Sequence, residues 1–174
     1  TFHESDVDPD DDLDACTDDG VQRHLPTGVA PNVSWGTISA WSWGLSRAVD
    51  ALQQQPGINA ERIGVVGHSR RGKAALLAAA RDERIWLAAP HQSGTGGVTL
   101  SRSDNGESVD IINRLFPHWF GANFALFGDN ETKLPVDQHL LVALVAPRPV
   151  LVSDGSEDDW ADPAGARASV EAAD

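Results

Sequence analysis

Positive charge is scarce in this chain. Of its 174 residues only Lys73 and Lys133 are lysine, and 13 Lys+Arg stand against 26 Asp+Glu, a formal charge of −13. Binding a phosphate backbone needs a basic face, so nucleic acid is excluded as a default partner, and anionic membrane surfaces are disfavoured for the same reason. One cysteine, Cys16, excludes an intrachain disulfide framework and a cysteine-rich zinc site. No apolar run approaches the ~18 residues of a membrane span. No basic-then-apolar segment opens the chain, and it does not begin with Met, so the expectation is a processed form or a fragment. Apolar content is ample: 41% hydrophobic residues and six Trp predict a packed core rather than disorder.

Residues 1–34 read as an acidic, loop-rich leading segment, with Asp6, Asp8, Asp10, Asp11, Asp12 and Asp14 crowded together. Their D-x-D-x-D start invites a calcium reading. An EF-hand loop would need Gly at its sixth position and an acid at its twelfth, where this chain has Asp11 and Thr17. A solvated acidic loop is the preferred reading. The excess of Asp over Lys also resembles a salt-adapted surface.

Residues 35–174 read as a core of alternating helices and strands. Ile38, Trp41, Leu45, Ala48, Val49 and Leu52 recur at helical spacing over 35–53, with Thr37 as the expected N-cap. Off that stripe, Trp35 and Trp43 read as packing residues. A buried strand is expected at 63–66, an Ala/Leu-rich helix over 74–80 and a second strand over 86–90. Residues 101–138 read as irregular. A short helix end is expected over 140–145, a third buried strand over 149–153 and a helix over 163–173. This order predicts an α/β domain with a largely parallel sheet.

The strongest chemical signal is Gly67-His68-Ser69, set between a buried strand and a helix. A serine on a sharp strand-to-helix turn exposes its hydroxyl, and the helix N-terminus offers free N–H groups to an oxyanion. The usual spacing puts a glycine two residues after the serine, whereas here residue 71 is Arg and the glycine is Gly72. The bland alternative is an ordinary junction in which Ser69 merely caps the helix. Arg70 and Lys73 sharpen the active reading: the first adjoins the serine and the second lies one helical turn on. Together with Arg71 they make a positive spot in an acidic chain, with solvation the plainer reading of Arg71. In α/β-hydrolases a triad runs Ser, Asp/Glu, His. Asp158, after the 149–153 strand, is the expected acid, with Asp159 its rival, while Asp154 and Glu157 read as turn acids. All six histidines precede Asp158, and each reads as structural.

Gly67-His68-Ser69-Arg70-Arg71-Gly72-Lys73 resembles the elbow of the glucuronoyl esterases, carbohydrate esterase family fifteen. The likeness extends through Trp35 to Trp41, Ser93 to Gly97, Gly106-Glu107, Phe116 to Phe120, Leu134 to His139, Ala146 to Pro149 and Trp160 to Pro163. It implies an α/β-hydrolase, a three-layer sandwich with a mostly parallel sheet. It also implies cleavage of the ester between 4-O-methyl-glucuronate on xylan and lignin alcohols, with no metal and no cofactor. By the same resemblance Ser69 is the nucleophile, and Arg70 stabilises the oxyanion through its backbone N–H and side chain. Asp158 is the triad acid, and Lys73, Glu107 and Trp160 contact the uronate sugar. Gln92, grouped with the substrate-binding candidates, stands after the sixth strand of the family fold, where many members instead place the acid, a Glu, so Asp158 must do that work alone. The family's histidine falls past residue 174, so residues 1–174 are expected to be one partial domain, incomplete at both ends and nearly inactive alone. A secreted or periplasmic location follows from the family. The alternatives are an acetyl xylan esterase or other esterase on the same scaffold, and a degenerate carbohydrate-binding domain that has lost its triad.

Overall fold

A computed structural model describes residues 3–10, 20–24 and 35–174. Cys16 and Asp11 to Asp19 of the acidic run therefore lie outside the described residues. The elements are α1 (Thr37–Leu52), β1 (Ile63–His68), α2 (Arg70–Arg81), β2 (Ile85–His91), α3 (Val109–Leu115), α4 (Gln138–Ala143) and α5 (Pro163–Ala173), with short 3-10 turns between them.

β1 and β2 are parallel neighbours joined through α2. Segment 149–153 extends the pair on the far side of β2, by parallel bridges from Ala88 to Val150 and from His91 to Ser153. The Leu151 amide donates to the Ala88 carbonyl at 2.8 Å and the Gln92 amide to the Ser153 carbonyl at 2.9 Å. α2 packs on this sheet with Ala75, Leu76, Ala78 and Ala79, all fully buried. These small side chains bring the helix axis close to the strands, and Leu76 fills the space between them. Val49, Val142, Val145 and Ala166, from α1, α4, the residues after α4 and α5, complete the same core.

β1 alternates rather than being buried throughout: Ile63, Val65 and Gly67 face the core, while Val66 is 77% exposed. Among the described residues the helices cover one face of the sheet, and no strand pairs with the outer edge of β1. No helix of the described residues is long and apolar enough to cross a membrane.

Two further local expectations are corrected. Thr37 is the first helical residue of α1 and Gly36 is the N-cap. The first amides of α1 need no side-chain cap, because Thr37 and Ile38 donate to the His118 and Trp119 carbonyls at 2.9 and 3.2 Å. Residues 101–138 are not wholly irregular, since α3 and α4 begin within them. α3 is capped by Ser108, which accepts from the Ile111 amide, and at seven residues it is too short for a helical period to register.

Candidate active site

β1, β2 and segment 149–153 deliver residues 68–69, 91–92 and 153–154 to one end of the sheet. That is the end at which ligands bind in open α/β sheets. Ser69 stands alone between the last residue of β1 and the first of α2, with φ 54° and ψ −125°. This is a strained conformation for a residue with a Cβ. The surroundings impose it. The Ser69 amide donates to the His91 carbonyl at 2.9 Å, and its carbonyl accepts from the Gly72 and Lys73 amides at 2.8 and 3.1 Å. Its side chain makes no capping hydrogen bond to α2, so the plain helix-cap reading fails.

The glycines explain the unusual spelling of the elbow. A Cβ on Gly67 would sit 2.2 Å from the Arg71 carbonyl oxygen, so only glycine lets β1 pass the first turn of α2. A Cβ on Gly72 would lie 3.0 Å from both the Gly67 carbonyl oxygen and the Ser93 Cβ. The second glycine therefore stands at 72, where α2 meets the β2 loop and a Cβ would be tighter than ordinary van der Waals contact.

Ser69 borders a cavity of about 160 Å³. Arg70, Lys73, Gln92, Glu107, Asp158 and Trp160 border the same cavity, so all seven sequence candidates converge on it. Phe116, Trp119, His68, Ser93 and Gly94, which the sequence did not single out as site residues, line it too. The Phe116 and Trp119 rings stack at 3.8 Å to form an aromatic wall. Asp159, the rival acid, is exposed and borders a different cavity with Asn105 and Ser156. A larger apolar cavity, about 520 Å³, lies between α1 and β1 and includes none of the seven.

The positive spot expected from sequence is neutralised by pairing. Lys73 is 3% exposed, and its ammonium donates to the Ser93 and Thr95 carbonyls at 2.7 and 2.6 Å. The Glu107 carboxylate lies 3.9 Å away and the Trp119 ring 5.8 Å away. Burial pulls Lys73 down to about 8, against the opposing pull of Glu107. Burial also raises Glu107 above the ordinary carboxylate range, although Lys73 and a hydrogen bond from Trp160 oppose the rise. The Arg70 Nε lies 2.9 Å from Asp10 Oδ2. Arg71 turns away from the site, its Nε donating to Glu4 at 2.7 Å. Asp8 and Asp10 are accordingly not solvated loop acids: Asp8 is buried and accepts from Gln22 at 2.7 Å.

Asp158 is held from two sides. Its Oδ2 accepts from the Gln92 amide nitrogen at 2.7 Å and its Oδ1 from the Ala161 amide at 3.2 Å. Gln92 reaches it from a left-handed backbone, φ 43°, directly after β2. Of the described histidines, His68 borders the cavity with its ring 5.2 Å from that of His91. His118 is buried against Asp10. No histidine is hydrogen-bonded to Ser69 among the described residues.

The family model described as "Glucuronyl esterase, fungi" matches residues 30–174. A carbohydrate esterase of an unknown prokaryotic organism is 43% identical over 100% of the chain, which spans 40% of that protein. A 4-O-methyl-glucuronoyl methylesterase of Phanerochaete chrysosporium is 41% identical over 78% of the chain, which spans 31% of it. Among solved structures, a promiscuous esterase of carbohydrate esterase family fifteen from a marine bacterial metagenome superposes with a TM-score of 0.90 at 43% identity. It covers 99% of the chain and 43% of its own.

Proposed function

On the premise that this chain belongs to the glucuronoyl esterase family, we propose that the protein carrying it is a serine esterase that cleaves 4-O-methyl-glucuronate esters joining xylan to lignin alcohols. The chain spans well under half the length of the relatives it matches, and in this reading the histidine of the reaction comes from the rest of the protein. In this reading that histidine takes the Ser69 proton while the Ser69 oxygen bonds to the uronyl carbonyl carbon. Asp158, steadied by Gln92, orients the histidine and stabilises its charge. The Arg70 amide, at the first position of α2, and its guanidinium meet the carbonyl oxygen as it becomes anionic. The C–O bond to the alcohol breaks, and the alcohol leaves with the proton from the histidine. Water then attacks the acyl-enzyme to release the uronic acid and restore the Ser69 hydroxyl.

Lys73, Glu107 and Trp160 are the sugar-binding set. Two of the three ammonium N–H groups of Lys73 are committed to carbonyls, which leaves one donor for a sugar oxygen. The half-exposed Trp160 ring offers an apolar face to the pyranose. Because the substrate is a wall polymer, the proposal includes an exported protein.

The observation that carries this reading is a serine released from helix capping and facing six other polar or aromatic candidates across one small cavity. The test is hydrolysis of methyl or benzyl glucuronate by the full-length protein and by Ser69→Ala. A loss of at least ~10⁴ in kcat is expected, and equal rates would end the proposal. Faster turnover of acetylated xylan than of uronate esters would instead favour the acetyl esterase alternative.

A further inference from the structure

We propose that Asp10 is a positioning residue for the ester-cleaving site: it tethers the Arg70 guanidinium and ties the leading segment 3–10 to the aromatic wall of the cavity. The proposal rests on the esterase reading above. Three groups converge on this one carboxylate. Oδ2 lies 2.9 Å from the Arg70 Nε. Oδ1 accepts from the Trp119 indole nitrogen at 2.8 Å and pairs with the His118 Nε2 at 2.9 Å. Arg70 and Trp119 border the cavity and Asp10 does not, so it acts through its neighbours rather than on substrate.

The geometry matches what a preorganised oxyanion site requires. An arginine at the start of a helix samples many rotamers, and one that must find its position at each turnover stabilises the transition state less. The buried Nε has no hydrogen-bond partner of good geometry among the described residues, so the tether is its close charge contact with Oδ2, which restrains the side chain near its root. No hydrogen bond among the described residues engages the two terminal amino groups of Arg70, so they stay available to an oxygen of the reacting ester. The carboxylate is itself fixed. Burial works to raise its pKa, but hydrogen bonds from Trp119 and His118 and the charge of Arg70 outweigh this and hold it below the ordinary Asp value. It therefore stays ionised while the site works. A second pair, Glu4 with Arg71, pins the same leading segment to the next residue of α2. The segment is thus stitched to two consecutive residues after the nucleophile.

The test is a double-mutant cycle in the full-length protein, with kcat and KM measured separately on methyl glucuronate. Asp10→Asn should lower kcat on the order of tenfold with KM little changed, a fraction of the 10²–10³ lost with an oxyanion donor. In an Arg70→Ala background the same substitution should change kcat by less than about twofold. Losses that multiply, a loss confined to KM, or no loss would overturn the proposal. A second measurement needs neither turnover nor an Asp10 variant: the titration of the Asp10 carboxyl carbon by NMR, in wild type and Arg70→Ala. The midpoint should lie below the ordinary Asp value in wild type and rise in the variant. An unmoved midpoint overturns the tether even in an active esterase. A moved midpoint in a protein that hydrolyses no uronate ester upholds the tether and defeats the esterase reading alone.

Discussion

Replacing Lys73 with methionine removes a charge that the folded protein holds at a cost. The ammonium is almost wholly buried at the edge of the cavity, and burial lowers its pKa from 10.5 to about 8. Below about 8 both the folded and unfolded states carry the proton, and the folded state bears the full penalty. At about 1.4 kcal/mol per pH unit, that penalty is roughly 3 kcal/mol at neutral pH. Between about 8 and 10.5 the unfolded chain keeps the proton and the folded protein has released it. The unfolded state then binds more protons, so wild-type stability gains with rising pH across this window. Lys73→Met cannot share that gain. At pH 7 the variant is already less stable, because the Ser93 and Thr95 carbonyls lose their donor and Glu107 its counter-charge. The gap between the two proteins should then widen by roughly 3 kcal/mol from pH 8 to 10.5. Urea unfolding of both proteins at half-unit pH steps measures it. A gap that stays constant or narrows refutes the account of Lys73 as a buried, reluctantly charged group.

Other substitutions probe the rest of the site. Gly67→Ala places a methyl against the Arg71 backbone, which cannot move aside. It should cost about 3 kcal/mol or more in urea unfolding, and a loss under about 1 kcal/mol would show that the turn is looser than described. Gln92→Glu sets a second carboxylate at hydrogen-bond distance from Asp158. Since two such groups cannot both ionise, the acid limb of kcat/KM should move up by about one pH unit or more. An unmoved limb would remove Asp158 from the mechanism. Trp160→Ala frees Glu107 of its indole hydrogen bond and strips the exposed ring. KM for a glucuronate ester should rise several-fold while turnover of p-nitrophenyl acetate is unchanged; equal effects on both substrates would contradict a sugar-binding role.

What could be read from the sequence was whatever local spacing encodes. The α1 stripe, the apolar strand runs and the turn at Gly67-His68-Ser69 all declare themselves within a few residues. The exposure of Val66 is not legible in the sequence, because a continuous apolar run does not say whether a second layer covers the strand. The neutralisation of the positive spot around Ser69 is hidden for a different reason. Its neutralising carboxylates, Glu4 and Asp10, lie some sixty residues earlier in the chain, and no pattern of charge signals such a return. Asp10 looked like one of a crowd of solvated acids, and only its convergence with Arg70, His118 and Trp119 separates it from them. The Phe116 to Phe120 segment is conspicuous by resemblance, yet its work is visible only where its carbonyls meet the first amides of α1 and its Trp119 ring faces Lys73.

The backbone at Ser69 implies that the protein would be sturdier without the nucleophile proposed for it. At φ 54° and ψ −125° a glycine would sit at ease, so Ser69→Gly should raise thermal tolerance by relieving roughly 1 kcal/mol or more, whereas Ser69→Ala relieves nothing. Selection for durability alone would place glycine at this bend, and under the proposed function a hydroxyl there marks a position where robustness is surrendered to reactivity.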